Sequence, residues 1–151
     1  PAGPTVTDVI ANAAFYYGLV RTLAEHERPV WSQMSFSAAE ENFHSGARDG
    51  LDATLYWPNV GPVNASELVL RRLLPMAHAG LEAWGVDADV RDRLLGIVEA
   101  RCIAGTNGAS WQVDTVRAFG GDRIGGLHEM LRRYIEFMHA NEPVHTWERP
   151  G

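Results

Sequence analysis

Twelve consecutive residues, Val9 to Val20, carry no charge, and this stretch sets the strongest limit on the fold. Thr5 before it and Asp8 at its start are typical of a helix N-cap followed by an acidic first turn. Apolar side chains fall on every face of the helix predicted here, and a helix that is apolar all round is a buried one. We therefore expect either a central helix or one that docks on a surface outside this chain.

Capping and helix-breaking residues divide the rest of the chain into short elements. Ser37 and Glu40 have the spacing of a capping box, and Gly50 is suited to the left-handed position that ends a helix. Pro75 falls inside a later helix, where it removes one backbone hydrogen bond and predicts a kink. The six predicted helices run from Thr5 to before Pro29, Ser37 to about Asp49, Asn64 to Trp84, Ala88 to Ala104 (with Asp87 as its cap), Gly108 to Phe119, and Leu127 to Ala140.

The segments between these helices predict one small sheet. Weak alternation from Leu51 to Trp57 indicates a short strand, and the Pro-Asn-Val-Gly sequence at 58–61 indicates a turn. This strand would form half of a hairpin packed on the helices. Residues 120–126 are predicted as a flexible glycine-rich turn, and 141–147 as an extended tail. The predicted fold is mainly α, with about six helices and a short β-hairpin in a single domain spanning residues 1–151.

Composition excludes several classes of protein. The hydrophobic content of 46% is typical of a globular domain. A net charge of −6 argues against nucleic-acid binding, which normally requires a basic face. The chain has no Lys, which excludes a Schiff-base lysine and a phosphate-loop lysine. No signal peptide or membrane-spanning segment is visible, so we expect a cytoplasmic protein without membrane contact. Cys102, the single cysteine, lies among apolar residues and is expected to be buried.

One polar stripe lies on the second predicted helix. Glu41, His44 and Arg48 follow one another at i, i+3 and i+7, so they share a face. The planar fork of an arginine can bind a carboxylate or phosphate in a bidentate manner. Two interpretations stay open: Arg48 contacts an anionic substrate or nucleotide, or it pairs with Glu41 or Asp52 as a structural tie.

A second polar segment follows the helix end predicted at Gly105. Asn107 and Gly108 favour a tight turn, and Gln112 lies one turn into the next helix. The turn either joins a helix C-cap to an N-cap, or presents backbone N–H groups to an anion at the helix start.

These two segments carry a family resemblance. Residues 41–53, ENFHSGARDGLDA, resemble the E-N-x-x-x-x-A-R-x-G-L-D-A stretch of the bacterial glutamate–cysteine ligase type 2, or carboxylate–amine ligase, family. Residues 105–112, GTNGASWQ, are similar to its later G-x-N/T-G-A-x-x-Q turn. Their order and separation also fit, and the resemblance extends from about Thr5 to Tyr134. It implies that the second helix walls an active-site cleft and that four residues contact substrate: Asn42, Arg48, Asn107 and Gln112.

The resemblance also implies what lies elsewhere. In that family the ATP- and metal-binding carboxylates lie upstream, on a glutamine-synthetase-like sheet that this chain does not contain. The implied function is the helical C-terminal region of an ATP-dependent ligase that joins an amino acid's carboxylate to an amine, as in γ-glutamylcysteine formation. We expect no cofactor in this chain, ATP and Mg in the parent enzyme, and the upstream catalytic part as its partner. The amino-acid substrate belongs to the parent, and the isolated chain is predicted to be inactive.

The ends and faces of the chain lead to two further expectations. The chain begins at Pro1 without an initiator Met, which suggests trimming or truncation. If it is a severed part, its first helix should leave apolar surface uncovered, and we expect self-association through it, as a homodimer.

Two alternatives belong to other classes. The first is a stand-alone helical interaction or dimerisation module without catalysis. The second is a ferritin-like di-metal bundle, because Glu41-x-x-His44 and Glu136-x-x-His139 repeat the paired motif of such proteins. Gly46 and Gly50 weaken the second helix near His44, which disfavours a long straight metal-binding helix.

Overall fold

The computed structural model describes residues 3–149. The suggestion of trimming or truncation at Pro1 therefore lies outside the described residues. Six helical bodies and one two-stranded antiparallel sheet make up the described chain, which confirms the predicted fold class. The third body is one helix over residues 65–83 that contains a π-helical segment at residues 69–73. The elements are α1 Val6–Ala24, α2 Phe36–Asp49, β1 Thr54–Trp57, β2 Gly61–Asn64, α3 Ala65–Leu68, α4 Leu74–Ala83, α5 Ala88–Ala104, α6 Gly108–Ala118 and α7 Arg123–Ala140.

The first helix packs its inner face against α4 and α5. Thr5 caps it as predicted, with its hydroxyl accepting a hydrogen bond from the Asp8 backbone N–H at 3.0 Å. Between the helices lies the larger hydrophobic core, which contains Ala11, Leu74, Ala77, Leu81, Leu95, Ile97 and Val98. The outer face of α1 stays apolar and exposed, including Tyr16 and Tyr17. The helix is therefore half covered, rather than buried on all sides.

The start of α2 differs from the prediction. Ser35, not Ser37, is the N-cap, and its hydroxyl accepts a hydrogen bond from the Ala38 backbone N–H at 3.2 Å. The helix gains a half-turn from this earlier start. Its end at Asp49 is confirmed. Gly50 has a positive φ of 60°, but its ψ of −123° lies outside the left-handed helical region.

The predicted hairpin is present, with a shorter first strand. Residues Gly50–Asp52 form a 3₁₀ turn, so β1 begins at Thr54 rather than Leu51. The strands pair in antiparallel register, with Thr54 opposite Asn64 and Trp57 opposite Gly61. The hairpin packs on α2 through β1.

Pro75 disturbs its helix as expected. Asn64 caps α3, and the residues Val69–Leu73 then widen into a π-helical segment. The Leu74 backbone N–H donates to the Val69 carbonyl across this wider turn. The π segment thus allows the helix to continue to Ala83 although Pro75 has no backbone N–H to donate.

The next two helices agree with the prediction. Helix α5 spans Ala88–Ala104 and ends at Gly105, which is left-handed with φ 61° and ψ 32°. Asp87 occupies the N-cap position, and within the described residues its side chain makes no capping hydrogen bond. Helix α6 begins at Gly108 and ends within one residue of the predicted Phe119.

The C-terminal part differs from the prediction twice. Helix α7 begins at Arg123 instead of Leu127, because Asp122 caps it by accepting from the Gly125 N–H at 2.9 Å. The tail is not extended: it folds into a 3₁₀ turn at Val144–Thr146. Its apolar residues complete a second core against α6 and α7, composed of Trp111, Val144 and Trp147 with Met130, Tyr134 and Phe137 around them.

No helix within residues 3–149 combines the length and apolar character that crossing a membrane requires.

Candidate functional site

The two motif segments meet in space. A Cβ placed on Gly50, at the end of α2, would lie 3.3 Å from Nδ2 of Asn107, in the turn between α5 and α6. The two segments therefore lie so close together that a side chain at position 50 would press on Asn107. We call this close approach of Gly50 and Asn107 the motif junction. The resemblance to a ligase family did not require the segments to lie close together, so the junction is an independent observation.

Asn42 ties α2 to the hairpin. Its Nδ2 donates to the Tyr56 carbonyl at 2.8 Å, and its Oδ1 accepts from the Tyr56 N–H at 2.7 Å. Ser45 adds a hydrogen bond from its hydroxyl to the Thr54 carbonyl at 3.2 Å. These side chains provide hydrogen-bond partners for backbone N–H and C=O groups along the edge of β1. A substrate contact by Asn42 would require it to exchange this pairing.

Arg48 lies on the surface next to the motif junction. Its Nε and Nη2 donate to both carboxylate oxygens of Asp49 at 2.9–3.1 Å, so the pair is bidentate. The hydrogen bonds that the guanidinium donates to Asp49 raise the pKa of Arg48. The partner predicted for a structural tie, Glu41 or Asp52, is wrong, because the neighbouring Asp49 takes that role. The side chain remains 66% exposed and accessible from solvent.

Asn107 is the N-cap of α6. Its Oδ1 accepts from the backbone N–H groups of Ala109 and Ser110, both at 2.9 Å, and the Ser110 hydroxyl accepts from the Asn107 N–H at 2.9 Å. This capping box supports the cap-to-cap interpretation of the turn. An anion at this helix start would have to displace the Asn107 side chain.

Neighbouring segments hold the second motif in place. The ring of Pro4 packs against Gly108, where a Cβ would lie 3.4 Å from Cγ. The guanidinium of Arg149 donates to the Ala104 carbonyl and the Thr106 hydroxyl. Gln112 is half-buried on α6, next to Trp111. The motif turn is thus fixed from the N-terminal side by Pro4 and from the C-terminal side by Arg149.

Trp111 anchors the same helix in the second core. Its ring lies 5.0 Å from that of Trp147, edge to face, and its Nε1 donates to the Glu148 carbonyl at 3.1 Å. Such geometry is favourable for aromatic pairs, and the buried indole N–H has a partner. Trp111 and Trp147 are therefore core residues.

A buried ion pair joins Asp8 of α1 to Arg101 of α5. The sequence did not predict this pair. Asp8 is fully buried: its Oδ2 accepts from the Thr5 hydroxyl at 2.8 Å and from the Val144 N–H at 3.1 Å. Nε of Arg101 lies 3.9 Å from Oδ1 of Asp8, and its Nη2 donates to Asn12 at 2.8 Å. Burial lowers the pKa of Arg101, and the charge of Asp8 opposes that shift. No local signal could have found the pair, because its members are far apart in the chain.

Residues 3–149 offer few side chains for metal binding or nucleophilic catalysis. No group of three or more His, Cys, Asp or Glu residues there is placed to hold a metal ion. The di-metal hypothesis therefore obtains no ligand set from the described residues. Cys102 is buried, as predicted, and burial raises the pKa of its thiol, which disfavours the reactive thiolate.

No protein-family model, curated protein or solved structure matches this chain.

Proposed function

We propose that this chain is the helical C-terminal region of an ATP-dependent carboxylate–amine ligase resembling glutamate–cysteine ligase. The motif junction carries the proposal. Two segments that resemble motifs of one ligase family, far apart in sequence, lie next to each other at Gly50 and Asn107. Such proximity is expected if both segments shape one wall of a site. The proposal also places the protein in the cytoplasm, where ATP is supplied.

The chemistry of the parent enzyme divides between two parts in this proposal. ATP phosphorylates the carboxylate, the amine displaces phosphate, and metal ions neutralise the phosphate charges. Residues 3–149 provide no cluster of carboxylates for those ions. We assign ATP and Mg to the upstream part and the supporting wall to this chain.

Arg48 is the best-placed substrate contact in that wall. It is exposed, charged, and two residues from the motif junction. Its bidentate pair with Asp49 is a surface pair, which contributes little stability and can be exchanged for a substrate oxyanion. Asn42, Asn107 and Gln112 position the wall around it in this proposal, because the first two make the tying and capping hydrogen bonds described above.

A stand-alone interaction module is the second candidate, and α7 favours it. Exposed apolar residues follow one another at steps of three and four along this helix, namely Ile124, Leu127, Leu131, Ile135 and Met138. Such a stripe is typical of a helix that packs on another surface. An interaction module would use this stripe without any turnover of ATP.

The test compares the isolated chain with a longer protein that joins it to an upstream ligase part. We expect the longer protein to release phosphate from ATP only when an amino acid and an amine are both present. The isolated chain should show neither turnover nor micromolar Mg-ATP binding by calorimetry. In the longer protein, Arg48→Gln should lower turnover by about tenfold or more, because a bidentate contact is lost.

Arg93→Gln is the matched control, since Arg93 is another exposed arginine, on α5. It should leave turnover unchanged. Micromolar Mg-ATP binding by the isolated chain would overturn the division of roles. A longer protein that consumes no ATP with any amino acid and amine would overturn the ligase proposal and leave the interaction module.

A further inference from the structure

A cleft opens where the C-terminal end of α1 faces α4 and the hairpin turn. Its main lobe encloses about 680 Å³, and a second lobe of about 200 Å³ continues it toward Trp57 and Met76. The two lobes adjoin, because both are lined by His26, Arg28, Gln33 and Asn59. The main lobe has the size of a small-molecule site, and the smaller lobe beside it is lined by Arg72.

The walls of this cleft are held by contacts between separate elements. The Thr22 hydroxyl of α1 donates to the Met76 carbonyl of α4 at 2.7 Å. Elsewhere in the lining, Nε2 of Gln33 donates to the Arg28 carbonyl at 2.7 Å, and Nδ2 of Asn59 donates to Oε1 of Gln33 at 3.4 Å. Hydrogen bonds therefore join α1 to α4 and the hairpin turn to Gln33.

Three arginines from three different segments line the cleft. Arg21 belongs to α1, Arg28 to the following loop, and Arg72 to the π-helical segment. Arg21 pairs with Glu25, yet its buried Nε has no hydrogen-bond partner within the described residues. This concentration of guanidinium groups contrasts with a net charge of −6 for the chain.

Two of these arginines lack a protein counter-ion in residues 3–149. Within that range, no carboxylate oxygen lies within 4.0 Å of a guanidinium nitrogen of Arg28 or Arg72. Glu25 and Glu27 also line the main lobe, and among residues 3–149 only the first of them forms an ion pair, with Arg21. Guanidinium groups without a protein partner in a cleft suit the planar oxygens of a carboxylate or phosphate.

We propose that this cleft binds a small oxyanion ligand through a carboxylate or phosphate group. Arg28 and Arg72 supply its charged contacts, and His26 and Asn59 supply further hydrogen bonds. The four residues of the ligase resemblance lie outside the cleft lining, so this site goes beyond the proposed ligase function and stands without it.

The test is calorimetric titration of the chain with inorganic phosphate and, separately, with glutarate, at constant ionic strength. We expect saturable binding of at least one of the two anions at one site per chain. Arg28→Gln and Arg72→Gln should each weaken it by about tenfold or more, because each removes a charge-assisted contact. Saturation by phosphate alone identifies a phosphoryl ligand, and saturation by glutarate alone identifies a carboxylate.

Arg71→Gln is the matched control. Arg71 adjoins Arg72 in sequence but lies outside the cleft, pairs with Glu67, and has a side chain that is 78% exposed. It should bind the anion as the unaltered chain does. All three substitutions fall at side chains that are polar and outside the cores, and far-UV circular dichroism verifies their folding. Failure of both anions to saturate, or an equal loss in Arg71→Gln, overturns the proposal.

Discussion

Gly50 allows the two motif segments to approach closely because it has no side chain. Its φ of 60° with ψ of −123° is a conformation that other residues adopt only with strain. A Cβ there would also press on Nδ2 of Asn107 at 3.3 Å. Both the backbone conformation and the close packing against Asn107 therefore favour glycine at position 50.

Gly50→Ala should lower the free energy of unfolding by about 1–3 kcal/mol, because it strains the backbone. Gly46→Ala is the control, because this glycine lies inside α2 and an added Cβ would meet open space. Alanine there should stabilise the helix by about 0.5–1 kcal/mol. Urea denaturation of both variants measures the difference. Equal stabilities would contradict the role given to Gly50.

Asp8 shows how the same residue type can serve two purposes. Its position in the first turn suits the helix dipole, as the sequence predicts. The structure adds that its carboxylate is fully buried and binds the Val144 N–H of the C-terminal tail. The residue thereby connects the two ends of the described chain.

Asp8→Ala should cost about 3 kcal/mol of folding stability, because it leaves the mostly buried Arg101 without its counter-charge and the Val144 N–H without an acceptor. Asp89→Ala, in the exposed first turn of α5, should change the stability by less than about 1 kcal/mol. Chemical denaturation monitored by tryptophan fluorescence gives both values. A loss for Asp8→Ala no larger than that of the control would show that the buried pair is dispensable.

At the scale of elements, α1 and α4 approach closely through two glycines. A Cβ on Gly18 would overlap the Ala77 carbonyl, and one on Gly80 would overlap the Gly18 carbonyl. Backbones in such contact cannot accept a side chain without separating the helices. This contact also positions one wall of the oxyanion cleft.

Gly18→Ala should therefore destabilise the fold by about 3 kcal/mol, near the upper end for overpacked sites. Gly96→Ala, on α5 with open space around it, should stabilise by about 0.5–1 kcal/mol instead. Thermal melts followed by circular dichroism separate the two signs. A neutral Gly18→Ala would mean that the helices can move apart at little cost.

Helix starts show the limit of local signals. Ser35 and Ser37 are both competent caps, and the capping-box spacing favoured Ser37. The structure uses Ser35, which lengthens α2. At α7, the Asp122 cap places Gly125 and Gly126 inside the helix, and Gly126 also packs closely on Val116 of α6, a contact that local sequence does not encode.

At the scale of the whole molecule, large apolar side chains remain uncovered on more than one face. Tyr16 of α1 is 62% exposed, and Trp31 in the following turn is 82% exposed. Exposed apolar patches mark surfaces that meet another protein. In the ligase proposal, the exposed apolar surface around α1 meets the upstream part of the enzyme. When that part is absent, the surface meets a second copy of the chain.

We expect the isolated chain to self-associate through α1 as its concentration rises, because this buries the exposed tyrosines. Tyr17→Arg should weaken that association by placing a charge in the interface. Val113→Arg, at an exposed apolar position on α6, serves as the control. Sedimentation equilibrium measures the dissociation constants, and a strictly monomeric chain at high concentration would contradict the prediction.

The sequence by itself determined the elements whose causes are local. Caps at Thr5 and Asn64, the glycine end at Gly105, the hairpin turn, and the disturbance at Pro75 all depend on residues within a few positions of one another. Short-range hydrogen bonding and backbone sterics suffice for these.

Tertiary structure decided everything that joins distant parts of the chain. The close approach of Gly50 to Asn107, the burial of Asp8 with Arg101, the folded tail around Trp147, and the cleft that contains Arg28 and Arg72 all arise when separate elements pack. The physical reason is that burial and long-range pairing depend on which surfaces meet, and the pattern along the chain specifies each surface but not its partner.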